Sequence, residues 1–411
     1  MTKLESMLKY VSEHNDFYKK RIKEYGIKDP LDITQWPVLT RKELQENRYN
    51  MFSSGYKTRY TNQELRRQVS SGLSGVPVNV YWDYKDWYAS NMSLWRKRLQ
   101  WYGIRPSERY VMFTLNSFDV KTDNDIVYYT KKYDNVLTVN ASLLKNEKQY
   151  IELVRIINEF NPVWLYIQPF VLNRLINTYI RFELKKLKDL RYIESIGELL
   201  TEDLRKRAID FFGVPVAGMY GSEEMNSIAY ECPDHHMHVL QDNVIVEIQN
   251  ENGICREGEG EAIITNLNNY GMPLIRYNQM DQILIDHEHA NCQYCHSSQT
   301  IKLIKGRTSS VIVFNDNTEM NTLALCEVIA EVNNYYNDVI TEYMYEYIQP
   351  DEKLICYLSV DQKRNGWINN IVETLKNTLM QKFPCITHFQ VIQVSDMGQM
   401  RKKNEILKVV Y

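Results

Sequence analysis

No stretch of the chain approaches the ~20 uninterrupted apolar residues of a membrane-spanning helix. The most apolar stretch, residues 161–180, is interrupted by Asn161, Pro162, Gln168, Pro169, Asn173, Arg174 and Asn177. The opening residues, Met1-Thr2-Lys3-Leu4-Glu5-Ser6, lack the apolar core of a secretory signal. Neither sign of charge prevails, since 49 basic and 52 acidic residues leave a formal net charge of -3. A global field that would draw nucleic acid or an anionic membrane is therefore absent. Internal repeats and linkers rich in Pro, Gly or Ser are absent as well. These absences lead to the expectation of a cytoplasmic protein with no membrane and no nucleic-acid partner. In a reducing compartment, the seven cysteines are expected as thiols or metal ligands and not as a disulfide framework.

What is present is ordinary for a globular chain: 44% hydrophobic and 25% charged residues. The 411 residues are about 2.7 typical domain lengths, which fits one large and one small domain. Residues 4–25 space Leu4, Leu8, Val11, Phe17, Tyr18 and Ile22 as a helix ending at Gly26. Thr40 is placed to cap a helix opening at Arg41. A long helix is expected over 84–102, ending at Gly103. Short β-rich runs at 110–114, 136–139, 164–167 and 192–196 alternate with helical stretches such as 146–160 and 201–212. That alternation predicts a largely parallel α/β sheet. From Val239 the pattern turns to strands and turns, and from Gly306-Arg307 to a small α+β unit of ~100 residues.

Several short stretches carry chemistry. Ser70-Ser71-Gly72-Leu73-Ser74-Gly75 is a hydroxyl- and glycine-rich loop able to turn backbone N–H groups towards phosphates. It is not a Walker loop, because no Lys-Ser or Lys-Thr follows. Tyr220-Gly221-Ser222-Glu223-Glu224 sets an aromatic ring ahead of carboxylates, a pattern suited to stacking a base and holding Mg²⁺. Arg276-Tyr277 leads to Asp281, whose carboxylate suits sugar hydroxyls. Taken singly, the first reads equally well as a surface turn, and the other two read better as an exposed acidic turn and an ordinary strand end.

The ordered set of the 70–75 loop, Gly197-Glu198, Tyr-Gly-x-x-Glu at 220–224, Arg-Tyr-x-x-x-Asp at 276–281 and Gly306-Arg307 resembles the adenylate-forming (ANL) superfamily. More closely it is similar to the phenylacetate–CoA ligase and CapK-type branch. Residues 15–19, 36–40, 103–106, and His238-Val239 ahead of Asp242 and Val246-Glu247-Ile248, share that character. The resemblance spans essentially the whole chain. It implies an α/β fold with a large N-terminal adenylate-forming domain of mixed sheets (1–306) and a small, mobile C-terminal α+β domain (307–411). It implies ATP-dependent, AMP-forming activation of a small carboxylic acid, then transfer to coenzyme A. Transfer to a carrier-protein thiol or an amine is the alternative acceptor chemistry. A zinc-stabilised, non-catalytic nucleotide-binding protein is the alternative from another class. A homodimer is compatible with each.

By that resemblance Ser70, Ser71, Gly72, Ser74 and Gly75 hold the triphosphate. Glu198 and the strand before Tyr220 border the adenine, with Tyr220 against the ring, and Gly221 and Ser222 belong to the same nucleotide-binding turn. Glu224 ligates Mg²⁺, Asp281 takes the ribose hydroxyls, and Arg307 lies near the ribose and the interdomain hinge. The C-terminal catalytic lysine falls at Lys402 or Lys403, a choice left open because the family's Gly-Lys pair is absent. A carboxylate nucleophile is already ionised at pH 7, so the chemistry calls for alignment and charge cancellation and not for a general base. The chain departs from the pattern at Leu73, Val78, Glu223 and Ser309; Glu223 puts an anion where the family usually has Thr or Ser.

The cysteines form a second constellation. Cys232, His238 six residues on, and Cys292-Gln293-Tyr294-Cys295 have the spacing of a structural zinc site, in which a C-x2-C knuckle shares one ion with a distant Cys/His pair. His235, His236 and His296 compete with His238 for the histidine place. The resemblance favours His238, so the expected ligands are Cys232, His238, Cys292 and Cys295. Cys255, Cys326, Cys356 and Cys385 are scattered and read as core or surface thiols.

Overall fold

The structure, a computed structural model, describes residues 1–69, 78–114, 129–141, 144, 147–286, 292–294, 299–307, 311–313, 319–321, 325, 328–329, 331–332, 335–336, 339–360, 366–383, 386, 388–394 and 407–410. The 70–75 loop, Cys295, His296, Ser309, Lys402 and Lys403 therefore lie outside the described residues. None of the helices among the described residues is long and apolar enough to cross a membrane.

The chain is a mixed α/β protein, as the pattern predicts. One sheet of thirteen described strands dominates. Its parallel part runs Val136–Asn140, Tyr110–Thr114, Trp164–Ile167, Tyr192–Ile196 and Val216–Ser222. The connecting helices include Glu147–Phe160, Pro169–Arg181 and Glu202–Phe212. Strands with nearly every side chain buried, such as Tyr192–Ile196, are what a sheet covered on both faces requires. Tyr129–Tyr133 adds an antiparallel edge. On the other side the sheet turns antiparallel at Asn226–Glu231 and Met237–Val239, then continues through Thr300–Arg307, Tyr277–Asp286, Gly258–Asn266 and Val244–Asn250 to the short strand Gly253–Cys255.

The N-terminal segment differs from the single helix that its periodicity suggests. Two helices, Lys3–His14 and Asp16–Glu24, meet at Asn15, which is extended at φ -124°. Its side chain accepts the Tyr18 N–H and donates to the Met51 carbonyl at 2.7 Å. A buried asparagine offered two such partners is worth more as a cap than as a helical residue. Thr2 and Thr40 each close a capping box, with Glu5 and Glu43 respectively. The segment after the second helix is held by a backbone bond from Leu39 to the Arg276 carbonyl and by a core that includes Trp36, Leu39 and Tyr277. Each such large side chain, when buried, contributes about 1.5–3 kcal/mol.

Two compact units result. The first comprises Met1–Ser70, Val78–Gln279 and Ile283–Leu303; the second gathers Ile304–Tyr411 together with Met280–Gln282. The second unit contains a four-stranded sheet in the order His388–Gln393, Lys353–Val360, Ile340–Ile348, Leu407–Val410. The helix Ile368–Lys382 packs Ile371, Leu375 and Leu379 into its core. The strand at 407–410, too short for its pattern to be read, pairs parallel with Ile340–Ile348.

Candidate functional site

The strand Val216–Ser222 leaves the parallel part of the sheet and runs into the turn Ser222–Asn226, which reverses it into the strand Asn226–Glu231. The register slips between Tyr220 and Gly221. At that point a Cβ on Gly221 would collide with the Asn226 carbonyl oxygen, so the close approach requires glycine. Tyr220 is buried.

Hydrogen bonds fix this turn from three sides. Gln279 Nε2 donates to Ser222 Oγ at 2.6 Å, and the Met225 N–H donates to the same oxygen at 3.2 Å. Gln68 Nε2 donates to Glu223 Oε2 at 3.0 Å and to Asn226 Oδ1 at 3.3 Å, while Asn226 Nδ2 donates to Ser90 Oγ at 2.6 Å. Gln68 lies on the strand Arg66–Val69, immediately ahead of the Ser/Gly loop in sequence. Tyr277 Oη donates to Glu224 Oε1 at 3.4 Å, and an Arg41 Nη1 stands 3.8 Å from the same oxygen. Sequence reasoning did not single out Gln68, Arg41, Tyr277 or Gln279 as site residues. Only their nearness to flagged positions along the chain could have suggested them.

Glu224 is 2% exposed, and its Oε2 has no hydrogen-bond partner among the described residues. A buried carboxylate oxygen left this way is costly unless something else occupies it. One carboxylate plus substrate phosphates is the coordination that Mg²⁺ accepts, so the donor set fits the expected ion. Burial, augmented by the neighbouring Glu224, pushes the Glu223 carboxyl above the ordinary carboxylate range, against the Gln68 hydrogen bond and Arg66.

The remaining expected residues are placed as follows. Glu198 is exposed, just past the strand Tyr192–Ile196 and the left-handed Gly197. Asp281 is buried midway along Tyr277–Asp286, directly after Met280 in the left-handed region at φ 62°. Arg307 ends the strand Thr300–Arg307.

The second constellation forms beyond the strand Asn226–Glu231. Cys232 ends that strand's buried run, and a tight turn returns the chain as Met237–Val239: the Cys232 N–H donates to the His236 carbonyl and the His235 N–H to the Cys232 carbonyl. His235 is left-handed at φ 62°. Its Nδ1 lies 3.2 Å from Arg205, so it is turned out of the cluster. His236 and His238 face the other way. Their ring nitrogens, Cys232 Sγ and Cys292 Sγ all lie within 4.8 Å of one another. Of the four expected ligands, Cys232, His238 and Cys292 lie together among the described residues, with His236 beside them, and Cys295 lies outside those residues. Burial pushes the Cys232 thiol up to about 12.

No protein-family model matches the sequence, and no curated protein does. The fold is better known. A 2-hydroxyisobutyryl-CoA ligase, solved in its postadenylation state with R3-HIB-AMP, gives a TM-score of 0.73 over 99% of this chain and 88% of its own, at 15% identity. The anthranilate CoA ligase AuaEII, with anthranoyl-AMP, gives 0.54 over 83% of this chain and 65% of its own, at 11% identity. O-succinylbenzoate coenzyme A synthetase from Bacillus subtilis, with AMP, gives 0.53 over 80% and 65%, at 13% identity. The chain thus has the fold of the adenylate-forming acyl-CoA ligases.

Proposed function

We propose that this protein is an ATP-dependent, AMP-forming ligase that activates a carboxylic acid as its acyl-adenylate and passes the acyl group to coenzyme A, in the manner of the phenylacetate–CoA ligase branch. The observation that carries the reading is Glu224: a buried carboxylate with one oxygen unpartnered, at the end of the Tyr-Gly-x-x-Glu turn, within the fold those ligases share. Neighbours solved with acyl-AMP and coenzyme A support the same chemistry.

In this scheme a substrate carboxylate oxygen bonds to the α-phosphorus of ATP and pyrophosphate leaves. The acceptor sulfur then bonds to the acyl carbon and AMP leaves. Residues 70–75 hold the triphosphate, Glu198 and the strand before Tyr220 border the adenine with Tyr220 against the ring, Asp281 takes the ribose hydroxyls, and Arg307 lies near the ribose. Glu224 holds Mg²⁺, which when bound supplies charge cancellation on the phosphates. Gln68 and Gln279 fix the turn from which Glu224 projects, which lowers the reorganisation needed when nucleotide arrives. The domain 307–411 moves between the half-reactions and brings Lys402 or Lys403 to the phosphate in the first.

Acid-dependent exchange of labelled pyrophosphate into ATP tests the first step across a panel of aromatic, hydroxy and amino acids. Exchange with at least one acid, lost in the Glu224→Gln variant, is the expected result. If no acid supports exchange, and Lys402→Ala with Lys403→Ala changes nothing, the ligase reading fails. Omitting coenzyme A tests the acceptor: adenylate accumulates and no thioester forms. Product made equally well without coenzyme A would move the assignment to a carrier protein or an amine.

A further inference from the structure

We propose that Arg41 is a built-in counter-ion for Glu224, one that opposes the binding of a divalent cation there in the absence of nucleotide. The inference rests on the reading of Glu224 as the carboxylate that holds Mg²⁺, and it concerns a residue outside the motifs behind that reading. Arg41 Nη1 lies 3.8 Å from Glu224 Oε1, with the two side chains 12% and 2% exposed. That is close enough for charge compensation and too long for a hydrogen bond. Arg98, Arg205 and Arg276, by contrast, grip Glu194, Glu231 and Glu247 through two hydrogen bonds each. A buried carboxylate needs an opposite charge nearby, and Arg41 supplies one without a hydrogen bond to it.

The backbone fixes this placement. Leu39 forms a parallel bridge with Tyr277: its N–H donates to the Arg276 carbonyl at 2.9 Å, and the Asn278 N–H donates to the Leu39 carbonyl at 3.0 Å. Thr40 then closes a capping box with Glu43 and starts the helix Arg41–Asn47. One bridge therefore sets in register both side chains that face Glu224 Oε1, since the Tyr277 hydroxyl donates to that oxygen at 3.4 Å. Oε2 has no hydrogen-bond partner among the described residues, and it is the oxygen left to a metal. A divalent cation on Oε2 puts two positive groups on one carboxylate, where burial leaves their repulsion weakly screened. Nucleotide phosphates arriving with the cation offset that repulsion. Arg41 thus favours uptake of the metal–nucleotide complex over uptake of the metal alone.

Mn²⁺ binding to the full chain, followed by electron paramagnetic resonance with and without ATP, tests this. Without ATP, Arg41→Gln is expected to bind Mn²⁺ about tenfold more tightly than the wild type. The double variant Arg41→Gln/Glu224→Gln is expected to lose that gain, and ATP is expected to narrow the difference between Arg41→Gln and the wild type. Thermal midpoints give a readout that needs no nucleotide. The midpoint of Arg41→Gln is expected to fall below that of the wild type, to rise with Mn²⁺, and to recover when Glu224→Gln is added. If Arg41→Gln alone does not fold, recovery of a cooperative transition in the double variant carries the same support. The proposal is overturned if Arg41→Gln binds Mn²⁺ alone no more tightly than the wild type, or if the double variant is as unstable as Arg41→Gln. Binding of Mn²⁺ with ATP that Glu224→Gln leaves unchanged in the wild-type background would instead overturn the reading of Glu224 itself, and the proposal with it.

Discussion

The large unit buries glutamates of two kinds. Glu194, Glu231 and Glu247 each take a two-pronged guanidinium: Arg98 at 2.8 and 2.5 Å, Arg205 at 2.8 and 2.7 Å, Arg276 at 2.9 and 2.6 Å. Glu224 is as deeply buried, yet its arginine stands off at 3.8 Å and one oxygen has no hydrogen bond among the described residues. The three paired glutamates are satisfied by the fold itself, and their arginines reach on to backbone carbonyls such as Thr34, Trp36 and Val216. They lock segments together. Glu224 is held in place with one oxygen unbonded among the described residues, which is what the proposed role in holding Mg²⁺ calls for. The contrast separates carboxylates fully paired by the fold from one that the turn between two strands of the same sheet leaves partly unpaired.

The contrast is sharpest at its structural end. Glu247→Ala strands the Arg276 guanidinium without its partner and is expected to cost about 3–5 kcal/mol, read as a lower urea midpoint; an unchanged midpoint would erase the distinction. Glu224→Gln should behave in the opposite way. Pyrophosphate exchange is expected to fall on the order of 100-fold or more, while the urea midpoint holds or rises, because an under-bonded carboxylate becomes a neutral amide. A variant that lost stability and kept exchange would place Glu224 with the structural group.

Thr40→Ala probes the element that carries Arg41. Loss of the capping box is expected to cost about 1 kcal/mol, measured by denaturant titration, and to lower exchange only modestly. The smallest effect is set by Glu223, whose carboxyl is raised by burial and by Glu224. A carboxyl raised in the folded state contributes stability that is full below the ordinary carboxylate range and is lost as pH rises through the raised value. Glu223→Gln should therefore be relatively more stable than the wild type as pH rises through that window. On the proposed nucleotide site, its KM for ATP should be several-fold lower above it, since an anion next to Glu224 is gone. A difference between the two proteins that does not vary with pH would show that Glu223 does not titrate there.

Much of the fold is legible in the order of residues. The runs at 110–114, 164–167 and 192–196 form strands at those bounds, and the helix Tyr84–Tyr102 ends at the left-handed Gly103 as its sequence indicates. These are elements whose burial period or terminating residue is strong and local. Where the expectation fails, a long-range partner prevails over local period: Asn15 breaks a helix because the Met51 carbonyl is within reach. The strand Arg66–Val69, too polar to read, exists because Asn79–Trp82 pairs with it.

The same division runs through both candidate sites. Residue types and spacing alone determined that Glu224 would follow a Tyr-Gly turn and that Cys232, Cys292, Cys295 and one of several nearby histidines were candidates for one ion, because reactive groups announce themselves by identity; the preference for His238 came from the resemblance. Tertiary structure alone decided that Glu224 would be buried with an oxygen to spare while Glu247 would not, and that His236 and not His235 would face the cysteines. A carboxylate's or imidazole's role depends on which donors surround it, and those donors, Arg276 for Glu247 and Arg205 for His235, come from segments some thirty residues away or more. No local pattern in the chain encodes that distance.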